Sequence, residues 1–152
     1  MRKVITIVLM LVVAVQVMAK TPVETLIGRY EDNKGFKCME VSGSKMMLAR
    51  PILKKYPIGP MSDVVERIVI LKMEKASAHD RALFLDDMKR TLKEYIYCGK
   101  SAGPAGTVDV YVHQKTPITV DEVVSFNPES FVINALMGEF PVKDLEKIEV
   151  HN

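Results

Sequence analysis

Apolar and polar positions alternate with different periods along this chain, and the periods divide it into elements. Glu66-Arg67-Ile68-Val69-Ile70-Leu71-Lys72-Met73 is an almost unbroken β-branched and aliphatic run with charge at its edges. Such a run reads as a strand buried on both faces, at the centre of a sheet. In Thr107–Gln114, Val108, Val110 and Val112 alternate with Asp109, Tyr111 and His113, the pattern of a half-buried strand. Glu94–Cys98 precedes it, and the two predict a hairpin across a glycine-rich loop at 99–106. That loop is no phosphate cradle, because no Gly-Lys-Ser/Thr ending leads into a helix. Phe36–Val41 and Phe131–Met137 read as two further strands.

Helical spacing lies between these runs. Thr21-Pro22-Val23-Glu24 is a capping box with proline at the first helical position, and predicts a helix over 22–33 ended by Gly35. Ser77-Ala78-His79-Asp80 opens the strongest pattern, a helix over 78–93 with Ala78, Ala82, Leu85, Met88 or Lys89, Leu92 and Tyr95 on one side. Thr119-Val120-Asp121-Glu122 is a third box and predicts a short helix to Phe126, stopped by Asn127-Pro128. Pro141 starts a terminal helix through Lys147. The stretch 45–53 fits a strand or a short helix equally, and Pro51, Pro57 and Pro60 make 54–62 a loop. The order predicts an α+β fold: one mixed, mostly antiparallel sheet of about five strands covered by three to four helices.

The first 19 residues are set apart. Arg2 and Lys3 precede an apolar run, Val4–Val15, broken only by Thr6, and Val17-Met18-Ala19 supplies a cleavage site. This is the pattern of a secretory signal peptide, too short for a comfortable membrane span. Cleavage after Ala19 leaves residues 20–152 as a single domain with Lys20, not a lipid-carrying cysteine, in front. The predicted location is the periplasm or cell envelope, with no stable membrane span after signal removal.

Removing the signal changes the charge. The chain has 21 Lys+Arg and 19 Asp+Glu; taking away Arg2 and Lys3 leaves 19 of each, a net charge of zero. A nucleic-acid partner then loses its electrostatic support. Lys45, Arg50, Lys54 and Lys55 form a local basic cluster without interleaved acids, which reads as a solvated loop.

Candidate chemistry is sparse. Cys38 and Cys98 allow a disulfide in an oxidising compartment, or stand as two separate buried thiols. Neither has an activating pattern around it. His79, His113 and His151 have no ligand spacing to another His or Cys, although His113 shares a strand face with Asp109. Asp86 and Asp87 diverge around a helix, and Asp121 and Glu122 serve a cap. No catalytic constellation, dinucleotide fingerprint, metal set or cofactor is predicted. Met46, Met47 and Met88 fill a core or form an adaptable surface. Tyr95, Tyr97, Tyr111 and His113 are the candidate interaction surface.

Several stretches carry a resemblance: Arg29-Tyr30-Glu31-Asp32-Asn33-Lys34-Gly35-Phe36, Arg67–Met73, Val108-Asp109-Val110-Tyr111-Val112, and Met137-Gly138-Glu139-Phe140-Pro141-Val142-Lys143-Asp144-Leu145. In their order and texture the chain resembles a family of small exported Bacteroidota proteins, domain-of-unknown-function family 4252 or a close sister. The resemblance implies an envelope location and no assigned catalytic residues. That family often carries a lipid-anchoring cysteine after its signal, from which Lys20 departs.

The expected role is a non-catalytic binding or protein-interaction module whose partner is another envelope protein, engaged through the sheet surface or the 99–106 loop. A second expectation is a small apolar-ligand binder with a pocket between helix 78–93 and the sheet. A third is a hydrolase in which His113 or His79 meets an acid and a nucleophile.

Overall fold

Two of the three predicted capping boxes start helices, and the third lies in a strand. The computed structural model describes residues 20–103, 105–146 and 148. The predicted signal peptide 1–19, His151 and the Lys147 end of the predicted terminal helix lie outside the described residues. In chain order the elements are α1 (Pro22–Tyr30), β1 (Lys37–Ser42), α2 (Met46–Leu53), β2 (Val65–Lys72), α3 (Ala78–Thr91), β3 (Ile96–Gly103), β4 (Gly106–Thr116), β5 (Thr119–Asn127), β6 (Val132–Pro141) and α4 (Val142–Leu145). A single-turn 3-10 helix, Gly43–Lys45, leads into α2, and Gly59–Val64 and Leu92–Glu94 also form 3-10 segments.

The described residues form one six-stranded sheet in the order β1-β2-β6-β5-β4-β3, and every neighbouring pair is antiparallel. The fold is α+β, with one strand more than the sequence predicts and no parallel pair. β1 and β2 are adjacent, α3 carries the chain across the sheet, and β3 to β6 return as a meander to the free side of β2.

Because the meander adds only to that one side, β2 is second from the edge, and β6 and β5 occupy the middle. Even so, β2 is covered on both faces: Val69 and Leu71 join one core, Val65 and Ile68 the other. Thr119–Phe126, predicted helical, is β5, paired with β4 and β6 along its length. Its Val120, Val123, Val124 and Phe126 suit a pleated, two-sided burial that a helix would not provide. The stretch 45–53 is the helix α2, with Pro51 inside it. The predicted loop 99–106 is strand to within a few residues of its turn. Its glycines serve the backbone there: Gly99 (φ 119°) sits at the bulge in β3, and Gly106 (φ 115°) starts β4.

On one face α1 and α3 lie against the strands. Val23, Leu26, Ile27, Phe84, Met88 and Leu92 pack on Val69, Leu71, Val124, Ile133 and Ala135. Each such side chain contributes roughly 1.5–3 kcal/mol when fully enclosed. The stripe on α3 runs through Phe84 and Met88, not through the predicted Ala82, which is exposed. Tyr30 stands edge-on to Phe84 at 5.1 Å, and its hydroxyl donates to Asp87. On the opposite face Met46, Ile58, Met61, Phe140 and Ile148 cover Val65, Ile68, Val120 and Leu136.

Candidate functional site

The second face is covered at one end only. α2 and the segment Tyr56-Pro57-Ile58 arch over the sheet and leave a cavity of about 600 Å³ beneath them. Its floor draws on all six strands, including Met39, Ile70, Val132, Ser125, Val108 and Ser101, and its roof holds Ala49, Ile52 and Leu53 of α2. Strand parity explains the floor. Ile68 and Ile70 of β2 lie opposite Leu136 and Asn134 of β6, and Ser125 of β5 lies opposite Asn134. All therefore project from the same side of the pleat.

A few polar groups interrupt this apolar surface. Asn134 Nδ2 donates to Ser125 Oγ (3.3 Å), which sets an amide carbonyl and a hydroxyl in the middle of the floor. Asn127 is almost fully buried; its Nδ2 donates to the Ala105 carbonyl (3.1 Å), and its Oδ1 accepts from Glu129 N (3.0 Å) and Ser130 N (3.1 Å). It thereby ties the β3–β4 turn to the β5–β6 turn at one end of the cavity. Lys72, exposed, contributes the one charged side chain among the described lining residues. This size and this ratio of apolar to polar lining match those of small-molecule sites.

The predicted pocket between helix 78–93 and the sheet corresponds to a shallower concavity of about 380 Å³ beside Leu85, Met88, Leu92, Tyr111 and Phe126. The larger cavity is on the other side of the sheet. No single stretch of the chain signals it, because its lining is scattered over six strands, α2 and the segment that follows it.

A second group of polar residues is enclosed on the packed face. Glu122 is fully buried in β5 beneath the start of α1. Its Oε2 accepts from Thr21 Oγ1 (2.5 Å), and Tyr95 donates to its Oε1. Thr21 Oγ1 in turn accepts from Glu24 N (3.2 Å), and Tyr95 Oη accepts from Val23 N (3.1 Å). Two N–H groups that α1 leaves without helical partners are thus relayed to one carboxyl group. Burial raises the Glu122 carboxyl to about 7; Glu24 and Asp121 push it further the same way, and the Thr21 and Tyr95 bonds oppose the rise. Beside it Glu24, also buried, pairs with Arg67 Nη2 at 2.5 Å. The group pins α1 to the sheet. Enclosed as it is, Glu122 reaches its protein partners and no solvent.

The predicted site residues are only partly brought together. Tyr97 and Tyr111 are cross-strand neighbours with ring centroids 5.1 Å apart, and Tyr97 Oη donates to Asp109 (3.0 Å). Tyr97 is 49% exposed and Tyr111 half-buried. Tyr95 is buried against the core and leaves the predicted surface; burial and the Glu122 charge raise its hydroxyl pKa. His113 shares the strand face of Asp109 as predicted, but the acid it meets is on β5: its Nδ1 is 2.7 Å from Asp121 Oδ1, and its ring lies 4.9 Å from that of Tyr95. Among the described residues no hydroxyl or thiol is hydrogen-bonded to His113, and His79 is exposed.

The disulfide is corrected outright. Cys38 lies in β1 and Cys98 in β3, the two opposite edges of the sheet, and they pack into opposite cores. Five strand spacings, about 24 Å, separate them, so both are free thiols. Burial raises Cys38 to about 11 and moves Cys98 the same way, the reverse of nucleophile activation.

Among the described residues no group of three or more His, Cys, Asp or Glu is placed to hold a metal ion, and no helix is long and apolar enough to cross a membrane. Compared with known proteins, the chain matches no family model, no curated protein and no solved structure.

Proposed function

We propose that this is an exported envelope protein that binds a small apolar or amphipathic molecule without transforming it, in the cavity under α2. The observation that carries the reading is the cavity itself: about 600 Å³, an apolar floor spread over a whole sheet face, and a short list of polar groups. The concavity is open on one side, and its apolar lining gains from being covered by an apolar occupant rather than water. Lys72 at its edge suits a ligand with an anionic end, a fatty acid being the simplest. Envelope location and kinship with the exported Bacteroidota family belong to the same proposal. They are supported by the basic, apolar and small-residue succession in 1–19 and by the stretches that carry the resemblance.

The test is titration of the purified chain from Lys20 onward with a fluorescent polyene fatty acid, alongside Val132→Trp, which fills the floor. Saturable binding that the tryptophan weakens tenfold or more supports the reading. No binding, or binding indifferent to the tryptophan, ends it.

One observation favours a second reading, a protein-interaction surface. Tyr97 is exposed, packed at a tilt against Tyr111 and hydrogen-bonded to Asp109, so an aromatic patch is already ordered before any partner arrives. An envelope protein retained by the native chain and lost by Tyr97→Ala in a pull-down supports that role; an identical set of retained proteins removes it.

A further inference from the structure

α2 has a single polar residue, Arg50, and that one turns toward the sheet. Its inner positions, Met46, Ala49 and Leu53, face the core or the cavity. Its outer positions are Met47, Leu48, Pro51 and Ile52, with no polar residue among them. Met47 is 72% exposed, Leu48 78% and Ile52 58%. The outward face of a surface helix is ordinarily polar, and this one presents only apolar side chains to solvent.

Along the chain the flanking charge has one sign. Residues 41–62 contain Lys45, Arg50, Lys54 and Lys55 and no acid. Arg50 turns inward and donates to the Val65 carbonyl (3.3 Å), while Lys45, Lys54 and Lys55 are exposed at the two ends of the helix. The nearest acids along the chain are Glu40, which is paired with Arg67 (3.5 Å), and Asp63. Exposed apolar side chains flanked by lysines, on a helix lying along the surface of the protein, match an anionic lipid surface: the apolar row enters the acyl boundary and the ammonium groups meet the headgroups.

We infer that the outer face of α2 is a docking site for an anionic lipid surface, and that the ligand of the cavity passes to and from that surface. The first half stands on α2 alone; the second rests on the ligand-binding reading above. The link between them is Ile52, which both lines the cavity and is exposed on the docking face. α2 is therefore the wall between the cavity and whatever the protein lands on.

The experiment is co-sedimentation of the chain from Lys20 onward with phosphatidylcholine vesicles, with and without phosphatidylglycerol, at low and high salt. Two variants are run beside it, Leu48→Asp/Ile52→Asp and Lys54→Glu/Lys55→Glu. Both alter exposed side chains, of which Ile52 also borders the cavity, and an unchanged thermal midpoint certifies the fold. The expected result is binding to the phosphatidylglycerol vesicles that high salt weakens. Each lysine strengthens such binding about fivefold, so losing both charges weakens it by roughly thirty-fold or more, and the aspartates abolish it. Equal binding to both vesicle types, or to neither, overturns the inference. So does a concentration-dependent dimer in vesicle-free buffer that Leu48→Asp/Ile52→Asp dissolves, since a second copy would then be the cover. Fatty-acid titration without vesicles keeps the two proposals apart. Probe binding without vesicle binding sinks docking and leaves the cavity; vesicle binding without probe binding sinks the cavity and leaves docking.

Discussion

The same strands present Leu71, Ile133 and Val124 to one side and Ile70, Val132 and Val123 to the other. The first three are sealed under α1 and α3. On the second side Val123 is buried, but Ile70 and Val132 stay partly exposed around a cavity of about 600 Å³. The side chains are alike, so the difference lies in the cover. Two helices of 9 and 14 residues, capped at Thr21 and Ser77, close one face. A helix of 8 residues with a proline inside it, and no side-chain cap, spans the other. The first face is closed along its length, and the second is packed at one end and open at the other.

Four experiments would break or sharpen that contrast. The largest effect is expected from Phe84→Ala, which empties the middle of the packed face and should lower stability by about 3–5 kcal/mol in urea unfolding. Ile70→Ala, already bordered by void, should cost about 1 kcal/mol or less; equal losses would erase the distinction. Next is pH. The Glu122 carboxyl rises from 4.5 to about 7 on folding. Between those values the folded chain holds a proton that the unfolded chain has released. The contribution of Glu122 to stability is therefore full below pH 4.5, falls as pH rises, and is lost, about 3 kcal/mol in all, above pH 7. Glu122→Gln should flatten that slope in unfolding measured from pH 4.5 to 8. Third, Val132→Trp should leave stability within about 1 kcal/mol of the native value, because it fills space rather than displacing atoms, while fatty-acid affinity drops tenfold or more. The smallest effect belongs to Lys72→Glu. Being exposed, it should weaken a fatty acid about threefold and leave the corresponding fatty alcohol unchanged, as read by competition with the fluorescent probe.

The packed face was largely legible in the residues. The Thr21/Glu24 and Ser77/Asp80 boxes begin helices because nothing competes locally: the stretches behind them have helical spacing. The Thr119/Glu122 box has the same letters and fails, since the valines and Phe126 behind it gain more from pairing with β4 and β6 than from a helical turn. That misreading hid Glu122, whose enclosure depends on β5 passing beneath α1. A buried carboxylate was detectable only as an acid in an otherwise apolar, β-branched run. The glycines of 99–106 look like a loop and instead serve a bulge and a turn. The hollow face was not legible at all. Emptiness is a property of assembled side chains, and none of the strands contributing to it differs visibly from one that packs.

The path of α3 across the sheet has a kinetic side. β3, β4, β5 and β6 pair in succession through short turns, so each contact closes a small loop. β2 and β6 join only across everything between them, as in Leu71 with Ile133, a closure that costs more chain entropy and is correspondingly slow. The meander is therefore expected to assemble first, with the edge of β6 bare until the β1–β2 ribbon arrives. Any chaperone met on the way would find its grip on that unpaired edge, and the hollow under α2 would be the last part of the molecule to exist.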